Sequence, residues 1–130
     1  MSNNDTDKIV SDLIEQAEKI YQFCDDNENS LQEQEVEDLR NEAGSLRRKA
    51  RRIEALGVFE LFTEIRSLVP SVKKATSRLN EVSKNLETVK EIMTAAAAAI
   101  NLAAAISIGD AGGVVSSLQQ AGKAIETLSS

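Results

Sequence analysis

Apolar residues recur along most of this chain at alternating gaps of three and four, the spacing of one helical face. Ile9, Val10, Leu13, Ile14, Ala17, Ile20, Tyr21 and Cys24 mark the first such face. Asp5 or Thr6 can cap the free N–H groups ahead of it, so a helix is predicted over about residues 6–24. The polar run Asp25-Asp26-Asn27-Glu28-Asn29 ends it. Ser30-Leu31-Gln32-Glu33 then reads as a capping box: the serine oxygen accepts from the third helical N–H and Glu33 reaches back. A second helix is expected over 31–56.

Within it Val36, Leu39, Ala43, Leu46, Ala50 and Ile53 keep a period of about 3.5 residues, the signature of a coiled-coil seam. Gly57 marks a break. Val58, Leu61, Phe62, Ile65, Leu68 and Val69 form a wider stripe, which predicts a helix over 58–69 touching more than one neighbour. Pro70 disfavours helical geometry at Val69, so the chain should turn there. The strongest pattern follows. Val72, Ala75, Leu79, Val82, Leu86, Val89, Met93, Ala96, Ile100 and Ala103 hold the alternation without a miss, predicting one helix over 71–108. Such a helix would reach roughly 50 Å or more. Gly109 suits a left-handed C-terminal position, and Asp110 can cap a last helix over 111–128, with Val114, Leu118, Ala121, Ile125 and Leu128 on its apolar face.

These elements predict an all-α chain, one helical domain over residues 1–130. The expected form is an elongated antiparallel bundle, or coiled-coil hairpin, of four to five helices. A reversal at Pro70 pairs about 31–69 with 71–108 and sets residues equidistant from the proline opposite one another. Arg51 then lies near Val89, which brings Arg47, Arg48, Arg51 and Arg52 beside Glu87 and Glu91. Glu60 and Glu64 come near Lys73, Lys74 and Arg78. Pairs of this kind set register more than stability, at about 0–1 kcal/mol each.

Composition sharpens the picture. The apolar fraction is 42% but aromatics are only 3%, so the core is aliphatic and alanine-rich. A net charge of −6 is a poor match for nucleic acid, and no nucleic-acid partner is expected. The opening residues lack the basic-then-apolar order of a secretory signal, which makes a cytoplasmic location the expectation, with conditional membrane association as the variant.

Cys24 is the only cysteine and reads as a buried, inert thiol. The chain has no histidine, so the commonest general base and metal ligand is missing and nothing can activate Cys24. Gly109 to Gly113 lacks the lysine and serine of a phosphate loop. Glu33, Glu35, Glu37, Asp38 and Glu42 point around a helix, as a solvated face does, instead of converging on a cation. No catalytic residue, cofactor or metal is expected, and the chain reads as non-enzymatic.

Two features remain. The basic cluster Arg47, Arg48, Lys49, Arg51 and Arg52 has no interleaved aromatic to stack bases, and reads as the flank of the seam around Ala50. Residues Ile92 to Gly109 carry no charge and are just long enough to cross a bilayer core; Ala111 to Gln120 are uncharged as well. Alanine gains little on transfer to lipid, and Asn101 sits mid-segment. Ala96, Ile100, Ala103, Gly109, Gly113, Val114, Leu118 and Ala121 are therefore expected to form a close-packed hairpin. The alternative is membrane insertion of 92–122. Long helices around one concealed apolar hairpin resemble the plan of α-helical pore-forming toxins and helical death-inducing domains, and that resemblance implies insertion on a trigger. The functional expectation is an interaction or assembly module. It would self-associate, or bind another helical protein, through a seam of Val72, Leu79, Val82, Leu86, Val89 and Met93.

Overall fold

The computed structural model describes residues 3–129, and every regular element among them is helical. Helix α1 spans Asn3–Asp26 and α2 Glu33–Leu56. The one-turn α3, Val58–Leu61, leads through a 3-10 segment, Thr63–Leu68, into α4, Val69–Ser83. Helices α5, Val89–Ser107, and α6, Ala111–Ser129, complete the chain.

Local chemistry explains most boundaries and corrects three expectations. Helix α2 starts at Glu33, because the carbonyl of Asn27 accepts from the N–H groups of Ser30 (2.9 Å) and Leu31 (3.1 Å) and draws both into the preceding turn. Glu35 then accepts from the backbone N–H of Gln32 (2.9 Å), the role expected of Glu33. Gly57, at φ 58°, ends α2 in the left-handed region. Pro70 does not turn the chain. It sits in the first turn of α4, where a missing N–H costs nothing. The reversal lies upstream, at Phe62 and the 3-10 segment, where Arg66 donates to the carbonyls of Phe59 (3.1 Å) and Glu60 (3.2 Å).

The third correction is the largest. The helix expected over 71–108 is broken: α4 ends at Ser83 and α5 begins at Val89. Thr88 and Glu91 form a capping box there. The N–H of Glu91 donates to Thr88 Oγ1 (3.2 Å), and the N–H of Thr88 donates to Glu91 Oε1 (3.1 Å). Thr88→Ala should lower stability by about 1 kcal/mol in urea unfolding. The Thr88 hydroxyl, donating to Glu91 Oε1 (3.0 Å), and then the backbone N–H groups of Glu87 and Thr88 hold the Glu91 carboxyl below its ordinary range. A depressed carboxylate stabilises the fold above its usual range and loses that effect as pH falls through the folded value. The Thr88→Ala penalty should therefore shrink on acidification.

Contacts between elements close a ring in the order α1, α2, α5, α6, α4 and back to α1. Arg40 to Asp25 (3.2 Å) marks α1 and α2 as antiparallel. Lys73 to Asp5 (3.0 Å) and Lys19 to the Asn80 carbonyl (2.9 Å) mark α1 and α4 as parallel. The Asn101 amide donating to Gln120 Oε1 (3.0 Å) and the Ser117 hydroxyl donating to the Asn101 carbonyl (3.3 Å) tie α5 antiparallel to α6. Direction alternates along the chain, so α2 and α5 run the same way and pack in parallel. The hairpin expected around Pro70 is therefore not formed. Arg51 pairs with Glu54 on its own helix (3.2 Å), Lys73 pairs with Asp5, and Glu91 caps α5 at the opposite end of the bundle from the last turn of α2. Leu13, Leu39, Leu46, Ile53, Leu79, Leu102 and Ile106 fill the ring. Ala17, Ala43, Ala50, Ala96 and Ala99 are buried with them, and their small side chains let the helices close.

Candidate functional site

The expected seam is divided between two helices and the turn that joins them. Val72 and Leu79 are buried on α4, which packs on α1 and α6. Val82, Leu86, Val89 and Met93 are half-buried against the same core, the last two on α5 beside α2 and α6. The chain's own helices bury Val72 and Leu79 and leave the other four partly exposed.

The uncharged hairpin is brought together as α5 and α6. Ala96, Ala103, Val114 and Ala121 are buried, while Ile100 and Leu118 are half-buried. A Cβ placed on Gly113 would stand 3.3 Å from the Cβ of Ala105 and 2.6 Å from Asp110 Oδ2, so the glycine permits the close crossing. Asp110 accepts from the Gly113 N–H (3.1 Å), the capping role expected of it. Among the described residues one helix, α5, is long and apolar enough to cross a membrane (mean hydropathy 1.5). Core helices of globular proteins reach the same values.

Arg47, Arg48, Arg51 and Arg52 face solvent around buried Ala50, and Lys49 donates to Ser45 Oγ (3.0 Å). Cys24 is fully buried, and burial pushes its thiol up, against the opposing pull of Arg40. A thiol so placed is a poor nucleophile.

Two features escaped the hydrophobic pattern. The first is an apolar end. Leu61 is 58% and Ile108 62% exposed, with Leu56 and Val115 at 43%. The Phe62 ring lies against Gly109, so Leu61 and Ile108 are the chain neighbours of residues in direct contact. The second is a polar ladder inside the α1–α4 interface. Asn80 donates to Glu15 Oε2 (2.9 Å) and Asp12 Oδ1 (3.3 Å), and Asp12 also takes Lys8 (3.0 Å). Lys19 donates to both oxygens of Asn80. Burial, and next the Lys84 charge, lower the Lys19 pKa. Gln16, only 1% exposed, has no partner for either amide atom, and Asp12 Oδ2 has none. The sequence signal was there: Lys8, Asp12 and Gln16 form an i, i+4 row beside the apolar face.

No family model, curated protein or solved structure matches this chain. The geometry offers two kinds of site, an exposed aliphatic end and a cleft beside the buried ladder. Among the described residues no three His, Cys, Asp or Glu side chains converge as a metal site would require.

Proposed function

We propose that this protein is a non-enzymatic helical interaction module, and that its contact surface is the end of the bundle carrying Leu56, Leu61, Ile108 and Val115. The observation that carries this reading is the exposure of Leu61 and Ile108 on either side of the Phe62–Gly109 contact. Leu61 and Ile108, held close by that contact, offer a partner an exposed apolar surface, and a contiguous surface of that kind marks an interaction site. The partner is a second copy of the chain, or else another helical protein. In this reading the heptad spacing serves a five-helix bundle within one chain instead of a coiled coil between chains.

Light scattering after size exclusion tests it. The wild type should associate at micromolar concentration. Leu61→Glu with Ile108→Glu should weaken association by about tenfold or more while leaving the thermal midpoint nearly unchanged, since both residues face water. Val82→Glu, by contrast, should destabilise the monomer, because Val82 packs on the core. A wild type that stays monomeric at high micromolar concentration excludes self-association.

A second reading has its own support. The α5–α6 hairpin exposes Ile108 at its tip, and α5 has the composition of a membrane span. Dye release from vesicles that depends on residues 92–122 would favour membrane insertion over assembly.

A further inference from the structure

A cleft of ≈ 330 Å³ opens where the C-terminal half of α1 meets the α4–α5 connection and the start of α5. That volume lies at the lower edge of small-molecule sites, about 300–1,000 Å³. Its polar lining includes Gln16, Lys19, Ser83 and Lys84, and its apolar lining includes Ile20, Phe23, Leu86 and Ile92.

Three observations point to an occupant. Gln16 lines the cleft with both amide atoms buried and unpartnered. A buried amide without a partner is costly, and such groups are rare unless something in the functional state satisfies them. Lys19 has three N–H groups, and Asn80 takes two of them. The third is left for a ligand. Lys84 is exposed, carries no ion pair among the described residues, and adds a second ammonium group to the same lining. Asp26 also lines the cleft, and Glu15 and Asp12 attract Lys19 from the ladder behind it, but the lining itself carries two ammonium groups against one carboxylate. Two cations brought together in a partly desolvated cleft repel, and an anion between them removes that repulsion.

We propose that this cleft binds a small amphipathic carboxylate, with its anionic head between Lys19 and Lys84 beside the Gln16 amide, and its apolar body against Ile20, Phe23, Leu86 and Ile92. The proposal is independent of the assembly reading, which concerns the opposite end of the bundle.

Amide shifts of the full chain, titrated with sodium octanoate, test it. A Kd of about 0.1–1 mM is expected for so small a ligand. The shifts should centre on residues 16–26 and 83–92. Lys84→Glu should weaken binding about tenfold or more without changing the thermal midpoint. Gln16→Leu should weaken it too while remaining folded. 1-Octanol and inorganic phosphate, each carrying half of the chemistry, should bind far more weakly. The proposal is overturned by an absence of shifts at 10 mM octanoate, by shifts centred on Leu61 and Ile108, by octanol or phosphate binding as tightly as octanoate, or by Lys84→Glu binding like wild type.

Discussion

Gln16→Leu should make the free protein more stable, by about 1–3 kcal/mol in urea unfolding. The side chain is 1% exposed, and neither its amide nitrogen nor its amide oxygen has a hydrogen-bond partner. Folding therefore strips water from two polar atoms and returns nothing. Leucine has a similar volume and follows Leu13 on the same helix face, so it replaces that loss with apolar burial and leaves no cavity. Most core substitutions destabilise, which makes the expected sign distinctive. A Gln16→Leu protein less stable than wild type would mean that the amide is hydrogen-bonded in solution, and would remove one of the three supports for the ligand cleft.

The opposite sign is expected at Gly109. Its φ is 69°, in the region where a Cβ costs about 1–2 kcal/mol. A Cβ there would also stand 2.2 Å from Cγ of Phe62, closer than atoms can approach. Adding an overpacking cost of about 1–3 kcal/mol, Gly109→Ala should lower stability by about 2–5 kcal/mol in all. Gly57 supplies the control. It has nearly the same φ, 58°, but nothing within 4 Å of its Cβ position, so Gly57→Ala should show the backbone cost alone. In a double-mutant cycle Phe62→Ala should recover part of the Gly109→Ala loss, with a coupling above about 1 kcal/mol, and should leave the Gly57→Ala loss unchanged. Equal penalties at the two glycines would show that the ring moves aside freely. The contact matters for the proposed interface, because it holds the α5–α6 turn, with Ile108, beside Leu61.

Candidate sites were less legible than the fold. The sealing of Cys24 followed from its place on an apolar face. The apolar end did not, because Leu56, Leu61, Ile108 and Val115 come from four separate segments and look like ordinary apolar residues within each. Asn80 was hidden for a related reason, and Gln16 showed only as the end of a polar i, i+4 row. Each is a polar residue next to an apolar stripe, and only the pairing of α1 with α4 buries both.

The order of residues alone dictates that the chain is helical, and dictates several of its stops. Glycine at 57 and at 109 takes the left-handed angle that ends a helix, and Asp110 caps α6. These are local effects, decided within a few residues. The break at 84–88 was also written locally, in Thr88 and Glu91, but the apolar spacing ran on through it. Leu86, within the turn, and Val89, just after it, still reach the core, so periodicity alone does not register the change. The choice of partners was left to tertiary structure. A stripe at helical spacing says that a face is buried and is silent about what covers it. Turning at 84–88 sends α4 to α1 and α6, and α5 to α2 and α6, and sets α2 and α5 side by side in parallel. That arrangement buries Val72 and Leu79 within the chain, because a closed ring of five helices buries more of each apolar stripe than a two-helix hairpin can.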